Sequence, residues 1–599
     1  MKTTHIVILS AIAFFCSPLF SQHRSSGNTE YVKGEILVKF KNTVKTNSDK
    51  MARISSLGGT DLKTIKGSEY VKVSLPQDSS VIDAVDTYSN DPDVESAQPN
   101  YIYRIFRAPN DPLYAPDLWG LHNTGQTLTV DGAIYPNNPG NAGADINMEP
   151  VWDKITDCSS VVVAIIDTGV NYNHEDLNAN MWDGGTSYPN HGFNFSQGNN
   201  DPIDRNGHGT HLAGIIGAVG NNGLDGTGIC WKASIMAIRA FDQNGSGTTA
   251  DIVQGIEFAI NHGARIINMS FGQYDSDATL AAEVDKTQTA GLLLIAAAGN
   301  DGADMSTTST TYPCSYTNSN IICVAALDQK DQLAGFSNYG SSIVDVGAPG
   351  TNIYSSWFAD EVVKETFAFA NWTQPAGGAG STWNHATGSS GADGWVIPNN
   401  YNGTSNTYLS NTSRRSYRTA GYSDFSACSY VALGFDASVD LGSASVLNIY
   451  HDNAIDNPFI AGTSLAAVTP TNPIGSRYEL TACETNTNCS VGFELLANGT
   501  TGFGVALFNY YLYCVSATPV SQYFIDHGTS MSTPYVTGLA AILMAYNPSY
   551  TYADAKNAIL NGGRSVASLS GRTTSGNSID GWGALTYINA PTGVTAVVQ

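Results

Sequence analysis

Between about residues 150 and 350, short apolar runs alternate with segments that have a helical pattern. The apolar runs are VVVAIID, SIMAIRAF, RIINMSFG and LLLIAAAG, and the segments between them include GTHLAGIIGAV and ADIVQGIEFAINHG. A strand that is apolar at every position has both of its faces buried. Strands of this kind alternating with helices predict an α/β fold, in which helices cover both faces of a parallel β-sheet.

Two segments with other patterns precede and interrupt this region. Residues 31–103 follow the order strand, helix, strand, strand, helix, strand, which predicts a small α+β domain. Residues 357–525 are rich in Asn, Gly, Ser and Thr, and their short alternating stretches predict an inserted all-β sandwich. We therefore expect a leader at 1–21, an N-terminal domain at 22–107, an α/β domain at 108–356 and 526–590, the insertion at 357–525, and a linker or further module at 591–599.

The first 21 residues have the layout of a cleaved secretory signal peptide. Lys2 precedes an apolar run from Ile6 to Cys16, and a small residue stands before Gln22. This run is too short to span a membrane, and no later apolar stretch is long enough to do so. We therefore expect a secreted protein without a membrane span.

The cysteine content fits an exported protein. Nine cysteines are present, and eight remain once Cys16 is removed with the leader. An even number in an oxidising compartment predicts disulfides. We expect local bridges between Cys314 and Cys323 and between Cys483 and Cys489. None of the spacings is that of a zinc site, and the pairing of four cysteines stays open: Cys158, Cys230, Cys428 and Cys514.

The formal net charge is −24, from 28 basic and 52 acidic residues. Polyanions repel such a chain, so nucleic acids and anionic membrane surfaces are not expected partners. The charge is uneven, because residues 22–107 hold 12 basic and 11 acidic side chains whereas residues 108–599 carry a net charge of −26. The acidity therefore belongs to the body of the protein and not to its N-terminal domain.

Three short motifs contain the side chains that acyl transfer requires. Asp167 ends the strand VVVAIID, His208 lies in NGHGTHLAG, and Ser530 lies in DHGTSMSTPYVTG, where Pro534 indicates the first turn of a helix. A serine hydroxyl becomes nucleophilic when an imidazole accepts its proton, and a carboxylate keeps that imidazole in the required tautomer. The N-terminus of a helix supplies backbone N–H groups to a developing oxyanion.

In the order Asp, His, Ser, these motifs resemble those of the subtilisin-like serine peptidase family. The resemblance covers residues 108–356 and 526–590. It implies a subtilisin-like fold and a secreted, monomeric serine endopeptidase that cleaves proteins or peptides without a catalytic cofactor. It assigns Asp167, His208 and Ser530 to a catalytic triad, with His208 as the base.

The same resemblance extends to segments between the triad motifs. AAAGN at 296–300 resembles the strand end that carries the oxyanion-hole asparagine, here Asn300. NMSFG at 268–272 resembles the segment that pairs with an extended substrate. His211, in the same HGTH motif as His208, is interpreted as a packed supporting residue. The substrate-binding residues implied are Ser270, Phe271, Gly272 and Gly299.

The resemblance also implies a structural calcium site. Asp176 occupies a ligand position, and the loop VGNNGLDGTG offers the Asn222 side chain. Carboxylate, amide and carbonyl oxygens are the hard ligands that Ca²⁺ prefers. An Asn-Gly turn without an ion is the alternative interpretation. The remaining ligands implied are Asp111 and the backbone carbonyls of Gly220, Leu224 and Gly226.

Residues 31–103 resemble the propeptide of this family, a ferredoxin-like domain that assists folding and inhibits the enzyme intramolecularly. Its end, QPNYIYRIF, is an extended run that can lie in a substrate cleft as an added strand. We therefore expect autocatalytic cleavage near 102–109. A permanent N-terminal domain is the alternative.

Three alternative interpretations concern the function. Ser464, in Gly-Thr-Ser-Leu-Ala, also resembles a nucleophile turn, but no Pro stands four residues later, so we expect it in a loop of the insertion. The insertion weakly resembles jelly-roll or MAM-like modules, and an inactive scaffold presenting it to a partner would not need the triad and Asn300. An α/β-hydrolase esterase requires the order Ser, Asp, His and a G-x-S-x-G elbow, which this chain lacks.

Overall fold

The computed structural model describes residues 31–76, 79–101, 108–130, 133–134, 137–307, 310–366 and 522–587. Between 367 and 521 it describes the strands given below, together with Leu480, Cys483 and Glu484. The expected signal peptide, most of the expected cleavage region near 102–109 and residues 591–599 lie outside this part of the chain. The chain divides into two compact units, residues 1–105 and 106–599.

The first unit is a four-stranded antiparallel sheet with two helices, as the sequence predicted. The sheet order is β2-β3-β1-β4, and helix α1 begins where Thr46 and Asp49 form a reciprocal capping box. Its core contains Ile36, Val38 and Val73, all fully buried. The elements are β1 (Tyr31–Phe40), α1 (Asn47–Ser56), β2 (Asp61–Thr64), β3 (Tyr70–Ser74), α2 (Val81–Ser89) and β4 (Val94–Tyr101).

The second unit is built on a nine-stranded sheet. The elements that precede the insertion are β5 (Thr129–Val130), β6 (Ala133–Ile134), α3 (Glu149–Trp152), β7 (Asp157–Asp167), β8 (Gly192–Asn194), α4 (His208–Gly217), β9 (Lys232–Arg239), α5 (Thr249–Asn261), β10 (Ile266–Met269), α6 (Ala278–Thr289), β11 (Leu293–Ala297), β12 (Ile321–Leu327), β13 (Val346–Pro349) and β14 (Ile353–Ser356).

The elements that follow the insertion complete this unit. They are β27 (Tyr523–Asp526), α7 (Thr529–Tyr546), α8 (Tyr552–Asn561), β28 (Arg564–Ser565), β29 (Asn577–Ser578) and α9 (Gly581–Tyr587). The order in the large sheet is β28-β29-β13-β12-β11-β10-β7-β9-β8, and every pair is parallel except β28 with β29.

Alternate residues of the central strands enter two separate cores. On β7, Val163 and Ile165 pack with residues of α4, α7 and α8, whereas Ala164 and Ile166 pack with residues of α5 and α6. Each fully buried Val or Ile side chain stabilises the fold by about 1.5–3 kcal/mol relative to an exposed one. Helices therefore cover both faces of the sheet, which confirms the predicted α/β architecture.

The inserted segment starts from β14 and returns through β27, which pair with each other in antiparallel register. Its described strands belong to two sheets. One has the order β17-β18-β26-β21-β24 with β15 on β26, and the other has the order β16-β19-β25-β22-β23 with β20 on β25. The strands are β15 (Asp360–Thr366), β16 (Trp372–Thr373), β17 (Asn384–Thr387), β18 (Asp393–Val396), β19 (Thr412–Arg418), β20 (Tyr422–Ser423), β21 (Cys428–Asp440), β22 (Val446–Asp452), β23 (Thr463–Val468), β24 (Tyr478–Glu479), β25 (Asn488–Ala497) and β26 (Gly504–Ser516).

One expectation about this segment is wrong. Ser464 lies in strand β23, where it pairs with Tyr450 of β22, and not in a loop. The residues after it, Leu465 to Val468, continue the ladder with β22, so backbone pairing decides the conformation here. Thr463 and Ser464 therefore belong to a strand and do not begin a helix.

The disulfides resolve part of the cysteine pairing. Cys314 bonds Cys323, which confirms the local bridge, and the cysteines left open form the pairs Cys158–Cys230 and Cys428–Cys514. Cys483 is also disulfide-bonded, whereas the side chain of its expected partner, Cys489, lies outside the described part. Among the described residues, no helix has the length and apolarity that crossing a bilayer requires.

The bridge between Cys158 and Cys230 closes a longer loop than the one between Cys314 and Cys323, 72 against 9 residues of separation. Both bridges are buried, so replacing each pair by alanine is a matched comparison. Loop-closure entropy predicts losses of about 4 and about 2.5 kcal/mol in the free energy of unfolding, respectively. Urea unfolding monitored by tryptophan fluorescence measures both values. An equal loss, or a larger one for the short loop, would contradict this prediction.

Candidate active site

Asp167 and His208 are in contact at the carboxyl edge of the large sheet. Asp167 is the last residue of β7 and is 2% exposed, and His208 is the first residue of α4. Nδ1 of His208 lies 2.8 Å from Oδ1 of Asp167. The ring keeps one side accessible, since about a quarter of the His208 side chain is exposed.

Ser530 lies in the first turn of α7, which begins at Thr529. Its hydroxyl donates a hydrogen bond of 2.9 Å to the carbonyl oxygen of Ser270, and the Ser270 hydroxyl donates one of 2.9 Å to the carbonyl oxygen of Ser530. These reciprocal bonds tie the start of α7 to the segment that follows β10. The helix N-terminus therefore meets the edge of the sheet at Ser530.

Asn300 is oriented by Thr529, a residue that the sequence analysis did not single out. Oδ1 of Asn300 accepts hydrogen bonds from the Thr529 backbone N–H at 2.9 Å and from the Thr529 hydroxyl at 3.0 Å. The same hydroxyl accepts the N–H of Gly299 at 3.0 Å. Because Oδ1 is engaged, the amide nitrogen of Asn300 is the end available to another group.

A cavity of about 210 Å³ adjoins Ser530 and Asn300. Gly272 and Thr311 both line it and are in direct contact: a Cβ built on Gly272 would lie 2.5 Å from the Thr311 methyl carbon. Any side chain at position 272 would therefore collide with Thr311. The structure thus brings the predicted substrate-binding residues together, and the full lining is Ser270, Phe271, Gly272, Tyr274, Ala297, Gly299, Asn300, Asp301, Thr311, Thr529 and Ser530.

Two further residues brace this cavity. The side chain of Asn338 is fully buried; its Oδ1 accepts the N–H groups of Asp301 and Ala303, and its Nδ2 donates to the carbonyl oxygen of Ala298 at 3.0 Å. The Tyr274 hydroxyl donates to a carboxylate oxygen of Asp301 at 2.9 Å. Asn338 therefore fixes the cavity wall on its buried side, and Tyr274 fixes it on the solvent-exposed side.

A buried carboxylate, Asp204, organises the turn before His208. Its Oδ1 accepts the Thr168 hydroxyl and the N–H groups of Asn206 and Gly207, and its Oδ2 accepts the N–H and hydroxyl of Thr210. Burial raises the pKa of Asp204, and these hydrogen bonds oppose that rise. The carboxylate thus links the end of β7, the turn and the first turn of α4.

The electrostatic surroundings favour the protonated form of His208. Burial lowers its pKa, but the charge of Asp167 and the hydrogen bond to it, with smaller contributions from Asp526 and Asp204, raise the pKa to about 9. Three carboxylates therefore stabilise a positive charge on this ring.

His211 occupies a different position from His208. It is fully buried, and its Nε2 lies 3.0 Å from the carbonyl oxygen of Ile353 and 3.1 Å from that of Phe524. Burial lowers its pKa. A neutral ring that donates from Nε2 to strands β14 and β27 fits these contacts.

The residues implied as calcium ligands come together around the loop at 219–228. Asp111 accepts the N–H groups of Asn221, Asn222 and Gly223, and Asp176 accepts the Asn222 amide at 2.7 Å and the Tyr523 hydroxyl. Among the described residues, no group of three His, Cys, Asp or Glu side chains is arranged to hold a metal ion. A site here would thus depend on backbone carbonyls.

The helix-covered parallel sheet, with Asp167, His208 and Ser530 at strand and helix ends, resembles the subtilisin-like class of protein, and comparison with known proteins agrees. The family model described as the subtilase family matches residues 159–425 and 446–583, and the fervidolysin N-terminal prodomain model matches residues 21–100. The chain belongs to the subtilase family. It is a subtilisin-like serine peptidase with an N-terminal prodomain, and the esterase alternative is therefore wrong.

Individual relatives include proteins named as serine proteases. The chain is 36% identical to the thermophilic serine proteinase of Bacillus sp. (strain AK1) over 330 residues, which cover 54% of this chain and 72% of that protein. It is 41% identical to thermitase of Thermoactinomyces vulgaris over 212 residues, covering 35% and 70%. It is 31% identical to the halolysin-like extracellular serine protease Nep of Natrialba magadii over 333 residues, covering 54% and 55%.

Proposed function

We propose that the chain is a secreted serine endopeptidase, made as an autoprocessed zymogen, with Ser530 as nucleophile and His208 as general base. The observation that carries this proposal is the 2.8 Å contact between His208 and Asp167 at the sheet edge where Ser530 and Asn300 line one cavity. The extracellular relative Nep supports export.

In the first step, the Ser530 hydroxyl turns from the Ser270 carbonyl toward Nε2 of His208 as the substrate binds, since catalytic hydrogen bonds often form only in the complex. Oγ bonds to the scissile carbonyl carbon while its proton moves to Nε2. Asp167 receives the Nδ1–H bond, fixes the tautomer and stabilises the imidazolium. The imidazolium then protonates the leaving amine, and water repeats the sequence to release the acyl group.

Asn300 and the backbone N–H of Ser530 stabilise the oxyanion of each tetrahedral intermediate. Thr529 contributes by engaging Oδ1 of Asn300, which leaves the amide Nδ2 as the donor. The N-terminus of α7 adds its dipole to this site. Removing one such donor typically costs about 100-fold to 1000-fold in kcat.

The substrate pairs in extended form with Ser270 to Gly272, and one of its side chains enters the cavity beside Gly299. Asp301 is the acidic residue of the cavity lining, and its carboxylate is engaged by the Tyr274 hydroxyl and by the Asn338 amide. Thr311 lies next to Gly272 and narrows the cavity, so the cavity favours a substrate side chain of moderate size.

The prodomain is the intramolecular inhibitor of this site, and its removal near 102–109 is autocatalytic. Purified Ser530→Ala protein is expected to remain an uncut precursor, because the mutant lacks the nucleophile. Intact-mass measurement after incubation checks this, with wild-type protein prepared in parallel. Normal processing of pure mutant protein would refute self-cleavage, and added wild-type enzyme shows whether the mutant precursor can still be cut.

The acidic surroundings of His208 predict the pH dependence of activity. The base must be neutral, so with a pKa raised to about 9 the value of kcat/KM rises with pH through the alkaline range. Asp204→Asn removes one of the carboxylates, so the midpoint of this rise moves to lower pH. Hydrolysis of a chromogenic peptide between pH 6 and 11 measures the shift. Asp345→Asn, at a partly buried carboxylate immediately before β13 at the opposite sheet edge, is the control and leaves the midpoint unchanged; an unshifted Asp204→Asn profile would contradict the assignment.

The loop at 219–228 fits a structural Ca²⁺ ion. Burial, and to a smaller extent the charges of Asp111 and Asp225, raise the pKa of Asp176 to about 7. Oδ2 of Asp225 is buried without a hydrogen-bond partner. Carboxylate groups that are close together and partly removed from water favour the binding of a hard cation such as Ca²⁺. The ion would be held by Asp176, Asn222, Asp111 and the carbonyls of Gly220, Leu224 and Gly226, and it would supply positive charge that stabilises the loop.

Calcium is therefore expected to raise the temperature of unfolding. A ligand at about 100 times its Kd stabilises the native state by about 2.7 kcal/mol. Thermal unfolding of the Ser530→Ala chain with excess Ca²⁺ and with a chelator measures the gain. Asp176→Asn loses the calcium-dependent part, whereas Asp328→Asn, a buried turn carboxylate of another loop, retains it. Identical unfolding of the unaltered site with and without Ca²⁺ would exclude the ion.

A further inference from the structure

The turn that ends at His208 is held from outside by the inserted segment. Nη1 of Arg205 lies 3.3 Å from Oε1 of Glu479 on β24, and the guanidinium carbon lies 5.0 Å from the centre of the Tyr430 ring on β21. The Tyr430 hydroxyl donates a hydrogen bond of 3.2 Å to the carbonyl oxygen of Arg205. Two strands of the insertion therefore contact both the side chain and the backbone of Arg205, which lies three positions before His208.

A second contact lies directly beside the histidine. Gly207 has a φ of +115°, and a Cβ at this position would lie 2.4 Å from the Trp357 ring. Trp357 is the first residue after β14 and stacks on Phe524 of β27 at 4.5 Å between ring centroids. A side chain on Gly207 would therefore collide with the indole of Trp357, which lies where the insertion begins.

The interface between the turn and the insertion is packed. Ile203, from the turn, is buried in one apolar cluster with residues from the insertion. Fully buried aromatic and aliphatic side chains make such a contact rigid, because packed interiors deform little. The remaining members of the cluster are Trp357, Phe358, Ala359, Tyr430, Ala432, Tyr513 and Val515.

The two strands that lead into and out of the insertion contact helix α4 one helical turn further along. His211 contacts the carbonyl oxygens of Ile353 and Phe524, which belong to the paired strands β14 and β27. Ser355 donates a hydrogen bond of 2.8 Å to the carbonyl oxygen of His211. The insertion therefore contacts the turn before His208, and the strands that connect to the insertion contact helix α4 after it.

We propose that the inserted segment positions the catalytic histidine, with Arg205 as the positioning residue that connects the two. This inference rests on the proposed role of His208 as general base. Asp204 holds the turn from the inside, and Tyr430 and Glu479 hold Arg205 from the outside. The turn is thereby confined between two sets of contacts.

A contact that positions a catalytic group and a contact that only stabilises the fold predict different effects when they are removed. A partly exposed ion pair contributes little to the free energy of unfolding. A small displacement of a catalytic group, by contrast, can reduce the rate on the order of 100-fold. Loss of the Arg205 contacts is therefore expected to change kcat far more than the unfolding temperature.

The test compares Arg205→Ala, Tyr430→Phe and the double variant in the full, processed protein. For Arg205→Ala, kcat for a chromogenic peptide is expected to fall about 10-fold or more, with KM within about twofold. Tyr430→Phe keeps the ring and removes the bond to the Arg205 carbonyl, so a smaller loss is expected. The double variant should lose less than the product of the single losses, because the residues share one interaction.

The control is Lys286→Ala, which removes a surface ion-pair partner of Glu257 and Glu283 on helices α5 and α6 and should leave kcat unchanged. The rate at which a fluorophosphonate labels Ser530 reports triad activation without peptide binding, and it should fall in parallel with kcat.

Unchanged kcat and labelling in Arg205→Ala would overturn the inference, as would an effect on KM alone, which would place the insertion in substrate binding. If Arg205→Ala does not fold, Tyr430→Phe decides by the same criteria. Absence of labelling in the wild-type protein would instead overturn the proposed function.

Discussion

The active site depends on the adjacency of three parallel strands. β7, β10 and β11 are neighbours in the sheet, and their carboxyl ends deliver Asp167, Ser270 and Asn300 to one edge. Neighbouring strands lie about 4.8 Å apart, so the strand ends that lead to these residues lie within about 10 Å of one another. The uniformly apolar strands make this possible, because a sheet buried on both faces is held rigidly by two layers of helices.

The parts of the site that follow this plan were predictable from sequence. Asp167 is recognisable because it is the polar residue that ends a buried apolar strand, and Ser530 because a glycine-bounded turn leads into a helix. The contributions of Asp204 and Thr529 were not predictable, because an aspartate in a polar loop and a threonine beside a serine have many ordinary roles. Only the folded chain shows that one accepts five hydrogen bonds around the histidine turn and the other orients Asn300.

The same limit applies to long-range pairing. The bridge between Cys314 and Cys323 could be predicted because its two cysteines are close in sequence, whereas Cys158 finds Cys230 only when β7 and the segment before β9 lie side by side. Ser464 shows the converse case, since a local sequence that resembles a helix start is overridden by pairing between β22 and β23. Local patterns therefore fix elements, and the sheet order decides which distant residues meet.

The antiparallel pairing of β14 with β27 has an evolutionary consequence. The two ends of a segment of more than 150 residues leave the peptidase unit as hydrogen-bonded neighbours, about 5 Å apart. A hairpin loop at this position can be exchanged for a whole module with adjacent termini, at little cost in chain entropy, since that cost grows only logarithmically with length. The grafting point lies over the helix that begins at His208, so any module acquired there is placed where it can influence hydrolysis.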